Sequence, residues 1–227
     1  MRLSVIIPTL DEAGVIEAQV RHTTRLEGIE EIVVVDGGST DGTPRRIPSL
    51  PRVRTLSAPR GRASQMNHGA RAATGDVLLF LHADVRLPEG AARLVAQALA
   101  RPSVVGGAFL TWTVAERRTW LGPLVHLADL RSRYTRLPYG DQALFVRRSA
   151  FEAVGGFPQQ PLMEDLEFSM RLRRVGELAR VPARVTVSGR RFVARPFFYP
   201  AVMNVFPALY RLGVSPAALA RLYGHVR

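Results

Sequence analysis

The chain has 227 residues, 47% of them hydrophobic, enough for one substantial core and short of two ordinary domains. Its formal net charge is +12, all 31 of its basic residues are arginine, and it contains no cysteine. Thiolate nucleophiles, cysteine-ligated zinc, disulfides, lysine Schiff bases and lysine-bearing phosphate loops are thereby excluded.

Val5-Ile6-Ile7 is a β-branched run stopped by Pro8 and reads as a buried strand. Glu12 to Leu26 has helical composition, with Asp11 placed to cap it. Ile32 to Val35 is a second buried strand, ending in the loop Asp36-Gly37-Gly38-Ser39-Thr40-Asp41-Gly42. Val53 to Leu56 forms a weaker third strand, and Arg62 to Ala73 a helix rich in small residues, closed by Thr74-Gly75. Val77 to Leu81 is a fourth strand running into His82-Ala83-Asp84, and a helix follows from Pro88 to Ala100. Alternating strands and helices, with strands apolar throughout, imply an α/β fold whose mostly parallel sheet is covered on both faces. Such sheets bind ligands at the carboxyl ends of their strands, where Asp11, Glu12, Asp36 and Asp84 fall.

The second half is less regular. Val105 to Val114 and Gln142 to Val146 read as strands, and Val185 to Val187 as the last one. Helices are expected over Trp120–Arg136, Ser149–Val154 and Glu164–Val175. Phe197 to Tyr223 holds one or two amphipathic helices, broken around Gly213 and Pro216. No acidic residue follows Glu177, whereas eight arginines do, Arg190 and Arg191 among them. Such a cationic tail can hold phosphates or an anionic surface, or can simply be solvated.

Three acidic groups carry candidate chemistry. Asp36, beside two glycines that allow close backbone approach, can accept hydrogen bonds from a nucleobase or ribose; Asp and Gly also build ordinary turns. Asp84 follows an apolar strand, and one carboxylate plus substrate phosphates is a common way to hold Mg²⁺. Glu164-Asp165 opens a helix, a site that favours carboxylates through the helix dipole and that can also present a general base.

Taken in order, these segments resemble a known family. "SVIIPTLDE" at 4–12 and "VVVDGGSTDGT" at 33–43 are similar to the opening of family-2 glycosyltransferases with the GT-A fold. "ASQMNHGARAATGDVLLFLHAD" at 63–84, "GDQALFVRRSAFEAVGGFP" at 140–158 and "PLMEDLEFSMRLRRVG" at 161–176 continue the resemblance through the family's metal motif, acceptor-side strand and Glu-Asp base motif. "LLFLHAD" with "YGDQALFVRR" is similar to transferases associated with arsenosugar biosynthesis, or with radical-SAM and selenium-related genes. The resemblance implies one GT-A domain: a nucleotide-binding half over 1–100, an acceptor half over 101–190 and a helical tail over 191–227. It implies that Pro8, Thr9 and Glu12 line the nucleotide pocket, that Asp36 contacts the base, and that Arg60 and Arg62 approach the nucleotide. Asp84 becomes the ligand of a divalent Mg or Mn ion. Gly140, Asp141 and Gln142 border the acceptor, and Asp165 is the base with Glu164 beside it. The chain departs from the family at His82, which replaces the first aspartate of the usual Asp-X-Asp triplet and leaves contact with metal or ribose open.

The implied activity is inverting transfer of a sugar from a nucleotide-sugar donor to an acceptor hydroxyl. The rival readings are a nucleotidyltransferase on a similar sheet and a nucleotide-sugar-binding protein with weakened catalysis. Nucleic-acid binding is not expected, because the basic charge lacks interleaved aromatics and any recognised motif. No segment is long and apolar enough to cross a membrane, and the N-terminus reads as a strand rather than a leader. A cytoplasmic location is expected, with membrane-peripheral contact or homodimerisation through the C-terminal helices as the roles open to the tail.

Overall fold

The computed structural model describes residues 1–114, 126, 129, 132, 134, 137–190 and 198–224. Four strands form the first half of the sheet: β1 (Leu3–Thr9), β2 (Ile29–Asp36), β3 (Val53–Ser57) and β4 (Val77–Phe80). β1 pairs in parallel with β2 and β4, and β2 in parallel with β3. The apolar runs in β1, β2 and β4 are unbroken because both faces of these strands are covered. Val5 and Ile7 join one core with Ile16 and Val20 of α1 (Ile16–Arg25). Ile6, Val33 and Val35 point the other way, against Ala63, Met66 and Ala70 of a helix at Arg62–Ala72. The short α2 (Thr43–Arg46) intervenes, so that helix is α3. α3 lies unusually close to the sheet. A Cβ added at Gly69 would lie 2.5 Å from Ile6 Cγ2 and 2.9 Å from Val35 Cγ2, so only glycine fits there.

The second half contributes β5 (Val85–Arg86), α4 (Ala91–Ala98), β6 (Val104–Val114), β7 (Phe145–Arg147), α5 (Arg148–Ala153), α6 (Glu164–Val175) and β8 (Glu177–Ser188). The strand order is β3-β2-β1-β4-β7-β6-β8-β5. β7 runs antiparallel to both β4 and β6, and β6 runs parallel to β8. β6 and β8 therefore point the same way as β4. The segments leaving β1, β2, β4 and β8 all emerge at one edge of the sheet, as the sequence pattern predicts for a mostly parallel α/β fold.

Two side chains fix how the helices meet that edge. Asn67 of α3 donates from Nδ2 to the Phe157 carbonyl at 2.8 Å and accepts the Phe157 N–H at 2.9 Å through Oδ1. Phe157 in turn packs edge-on against Phe80 of β4 at 4.7 Å and stacks on Phe168 of α6 at 4.1 Å. The loop entering α6 is thus pinned to both α3 and the sheet. α7 (Phe198–Arg211) and α8 (Pro216–Tyr223) form a separate small core, in which Val202, Phe206 and Leu219 pack with Leu162. Ser215 accepts from Ala218 N–H and caps α8, so the break expected around Gly213 and Pro216 is present.

Several local expectations need correction. α1 begins at Ile16 rather than Glu12, and Asp11 does not cap it. Asp11 sits at φ 53 and accepts the Thr40 N–H at 2.8 Å, which ties it to the neighbouring loop instead. Gly140–Gln142 form a 3₁₀ turn rather than opening a strand, and β7 starts three residues later, at Phe145. β8 has 12 residues where only Val185–Val187 are legible in sequence. The helix expected over Trp120–Arg136 lies mostly outside the described residues. Within it, Asp129 accepts from the Thr113 N–H and hydroxyl, and Ser132 Oγ accepts the Thr111 N–H, so both face β6.

Candidate active site

The loops after β1 and β2 are stitched together. Gly37 N–H donates to Thr9 O at 2.9 Å, Asp11 N–H to Ser39 Oγ at 2.9 Å, and Glu12 N–H to Thr43 Oγ1 at 2.8 Å. Asp41 Oδ2 accepts the Ala13 N–H at 2.9 Å. From below, Gln65 Nε2 donates to Thr9 O at 2.6 Å and Val35 O at 2.9 Å. The two sequence motifs at 4–12 and 33–43 are therefore one structural unit held by α3. Gln65 and Asn67 escape sequence reasoning because a polar residue on a small-residue helix carries no sign of what it will meet.

Asp36 lies at the heart of this unit, 5% exposed. Its Oδ2 accepts from Gly38 N–H at 2.9 Å and Ser39 N–H at 3.0 Å, and its Oδ1 from the Ser39 hydroxyl at 2.5 Å. Three of the roughly four acceptor directions of the carboxylate serve its own loop. Asp36 shapes the loop, as the turn-building reading has it, and one acceptor direction remains for a ligand.

Pro8, Thr9, Glu12, Arg62, His82 and Asp84 line one small cleft at the sheet edge. Arg62 also lines an adjoining cavity of about 330 Å³, together with Arg60, Ser64, Gln160 and Glu164. Arg62 Nη1 is 3.0 Å from Glu164 Oε1, across 102 positions of sequence. Glu164 is 2% exposed, and burial pushes its carboxyl above the usual carboxylate range; Arg62 pulls against that rise and Asp165 adds to it. Burial likewise opposes the charge on Arg62, but Glu164 and Asp165 hold its pKa above the ordinary value. A buried pair of this kind costs much more to break than it contributes when intact.

Asp165, half-buried at the second position of α6, has both carboxylate oxygens fixed. Oδ2 accepts the Gly140 N–H at 2.6 Å, and Oδ1 accepts the Leu166 N–H at 2.7 Å. His82 stands at the same place. A Cβ added at Gly140 would lie 2.8 Å from His82 Nε2 and 3.3 Å from Asp165 Oδ2. The chain end of β4, the turn at Gly140 and the start of α6 therefore converge, although 83 positions separate His82 from Asp165. Asp141 is half-buried in the same turn. Gln142 is 4% exposed and lines a different cavity, of about 900 Å³, running along β6 and the start of β8 with Pro138, Ser132 and Arg173. Gly140 thus stands at the His82 and Asp165 junction, whereas Gln142 lines the other cavity.

Arg190 completes the cleft. Its Nη2 is 2.5 Å from Glu12 Oε2 and 3.3 Å from Asp84 Oδ2. Local pairing explains this long-range meeting: Val85 pairs with Val187, and Ser188 N–H donates to Asp84 O at 3.0 Å. β8 thus delivers Arg190 to Asp84. Burial opposes the guanidinium charge, but Glu12 and Asp84 together raise its pKa. Arg191 lies outside the described residues.

A mixed α/β sheet with a carboxylate-lined cleft at its strand ends is the architecture of GT-A glycosyltransferases. The mannosyltransferase PcManGT of Pyrobaculum calidifontis, solved with GDP-Man and Mn²⁺, superposes with a TM-score of 0.67 at 24% identity, over 95% of this chain and 66% of that one. TarS 1–349 of S. aureus, solved with UDP-GlcNAc, superposes with a TM-score of 0.59 at 19% identity, over 83% of this chain and 58% of that one. The model of glycosyl transferase family 2 matches residues 4–155, and the chain belongs to that family of enzymes. In sequence it is 33% identical over 184 residues to a PGL/p-HBAD biosynthesis glycosyltransferase of Mycobacterium tuberculosis, covering 74% of this chain and 68% of that one. It is 28% identical over 174 residues to the beta-monoglucosyldiacylglycerol synthase of Synechocystis, covering 67% of this chain and 36% of that one. The chain spans about two thirds of the Pyrobaculum calidifontis mannosyltransferase and about a third of the Synechocystis synthase.

Proposed function

We propose that the chain transfers a sugar from a nucleotide-sugar donor to an acceptor hydroxyl with inversion, using Asp165 as general base. The observation that carries this reading is the junction of His82, Gly140 and Asp165, which sets a fixed carboxylate beside the strand end bearing Asp84. In the proposed step the acceptor oxygen attacks the anomeric carbon from the face opposite the diphosphate. The bond from that carbon to the phosphate oxygen breaks, its electron pair leaves with the diphosphate, and the hydroxyl proton passes to Asp165. One displacement inverts the centre, so a single base suffices. The N–H groups of Gly140 and Leu166 orient the carboxylate for that transfer.

The cleft suits a divalent cation. Glu12 and Asp84 offer hard carboxylate oxygens, and one guanidinium nitrogen already contacts both, a cation standing between two anions. Among the described residues no cluster of three or more His, Asp or Glu side chains can hold a metal, so donor phosphate oxygens would complete the coordination. When bound, Mn²⁺ or Mg²⁺ would neutralise charge building on the leaving diphosphate. Arg60, Arg62 and Arg190 add positive charge along the same edge. Pro8, Thr9 and Glu12 line the donor side, where Asp36 acts chiefly by shaping the loop. Among the neighbours, one holds GDP-Man and another UDP-GlcNAc, so both donors belong in any screen.

We read residues 1–100 as the donor half, 101–190 as the acceptor half and the remainder as a docking tail, within one domain. Leu212 is 82% exposed, Leu222 64% and Val205 49%, with Arg211 and Arg221 beside them. Apolar side chains flanked by arginines suit an anionic lipid surface, to which the acceptor would be presented. Cosedimentation with anionic vesicles tests the tail: binding that falls with salt supports a lipid surface. A concentration-dependent dimer that ignores vesicles would assign these helices to self-association instead.

Release of nucleoside diphosphate from a donor panel, followed with and without Mn²⁺, tests the proposed activity. Turnover that requires both metal and an acceptor alcohol supports it, and donor binding without any turnover would point to a binding protein.

A further inference from the structure

We infer that Arg190 is a built-in placeholder for the cation: it holds Glu12 and Asp84 together in the donor-free protein and must leave before a divalent ion can bind between them. The inference rests on the proposed metal-dependent reading and extends it in two ways. It makes Glu12 a second carboxylate at the cation position, and it gives that position an internal competitor.

The geometry is specific. A single atom, Arg190 Nη2, contacts both Glu12 Oε2 and Asp84 Oδ2, at 2.5 and 3.3 Å. The carboxylates come from loops after different strands, and the arginine from 106 positions beyond Asp84 in sequence. Glu12 is 7% exposed, and two carboxylates brought so close at the edge of a core repel unless a cation lies between them. Arg190 supplies that cation, and keeps the pair shaped for its successor. A guanidinium and a divalent ion cannot share the space, because like charges at such a separation repel by several kcal/mol even at the effective dielectric of a protein surface. Cation binding is thus an exchange. The cost of dislodging Arg190 is recovered when donor phosphates enter, since they complete the ion's coordination and offer the freed guanidinium a new anionic partner.

The consequence is that Mn²⁺ alone binds weakly and Mn²⁺ with nucleoside diphosphate binds well, which protects the carboxylate pair from idle metal. Mn²⁺ binding can be read directly from the free-ion electron paramagnetic resonance signal, without any turnover. Arg190→Gln is expected to tighten binding of Mn²⁺ alone by about tenfold or more, while weakening UDP or GDP binding at saturating Mn²⁺. These two changes have opposite signs, whereas a merely structural residue would weaken both. Adding Glu12→Gln to Arg190→Gln is expected to remove the gain. Arg190→Lys keeps a cation and the weak metal binding, and Arg190→Met serves as the neutral variant should the glutamine protein not fold. Mn²⁺ binding no tighter in either neutral variant than in the wild type would overturn the inference. A wild-type protein that takes up neither UDP nor GDP with Mn²⁺ would instead count against the proposed function itself.

Discussion

The backbone N–H of Gly140 donates to Asp165 Oδ2 at 2.6 Å, joining the turn before β7 to the start of α6 across 25 positions. That bond holds the carboxylate beside the Gly140 turn, whose other neighbour is His82, just beyond β4. Orientation of this kind matters for a base, because proton transfer in the transition state depends on distance and alignment before it depends on pKa.

Asp165→Asn is expected to lower turnover by about 10² to 10⁴-fold, the usual contribution of a general base. Asparagine keeps an oxygen able to accept the Gly140 N–H but turns its amide NH₂ toward the Leu166 N–H, so a stability loss of about 1–3 kcal/mol is expected while donor affinity hardly moves. Glu164→Gln is the paired control. Its carboxyl faces Arg62 rather than the Gly140 turn, so its effect should fall on stability before turnover. Steady-state kinetics beside thermal melts separate the two, and a Glu164→Gln enzyme losing more turnover than Asp165→Asn would reverse the assignment.

Gly140→Ala tests the junction from the other side. The new methyl would meet His82 Nε2 at 2.8 Å, inside van der Waals contact, and would crowd Asp165. Turnover should drop while the melting temperature changes little, since the clash can be relieved by turning His82. His82→Ala in the Gly140→Ala background should restore part of the activity if the steric account holds, and none if the turn itself has been displaced.

Much of this site is legible in sequence, for a physical reason. β1, β2 and β4 are covered on both faces, so they read as continuous apolar runs, and the residues just after them fall at the ligand edge by topology alone. β8 hides because it is mostly half-exposed. Its residues alternate among Arg180, Arg184 and Thr186 on one side and Val181, Val185 and Val187 on the other, with Pro182 between. The start of α1 misleads because Asp11 looks like a cap, whereas its carboxylate is taken by Thr40 from the next loop. Arg190 stands out in sequence only as part of a charge asymmetry. Its meeting with Glu12 and Asp84 depends on the pairing of β5 with β8, and a two-residue strand leaves almost no signal.

Asn67→Ala should destabilise the fold by about 2–4 kcal/mol, since it removes two buried hydrogen bonds and leaves the Phe157 N–H and carbonyl unsatisfied. The loop carrying Pro158 to Met163 would lose its anchor at the same time. Chemical denaturation measures the cost, and turnover should fall more than stability alone explains. A loss under 0.5 kcal/mol would mean that the clamp contributes little.

Glu31 supplies the expected pH dependence. Burial works against its charge, but the Ser4 hydroxyl and the N–H and hydroxyl of Thr74 outweigh that effect and hold its carboxyl below the ordinary value of 4.5. A lowered folded pKa means that the stabilisation is fully present above the unfolded value and is lost as pH falls through the folded one. Glu31→Gln should therefore cost about 1–3 kcal/mol at pH 7 and progressively less below pH ~4. Denaturation midpoints of the two proteins across pH 3 to 7 would show the curves converging at the acid end; a constant offset would contradict the charge-based account.

In the proposed function, Asp84 and an incoming nucleoside diphosphate hold a divalent ion between them for glycosyl transfer. Thermal melts of the wild type and Asp84→Ala against UDP, GDP, ADP, CDP and dTDP, each with and without Mn²⁺, address it most directly. Ligands that bind only the folded state raise its melting temperature by mass action. At least one nucleotide is expected to stabilise the wild type only when Mn²⁺ is present, whereas Asp84→Ala melts normally but loses that stabilisation. Equal Mn²⁺-dependent stabilisation of both proteins would contradict it.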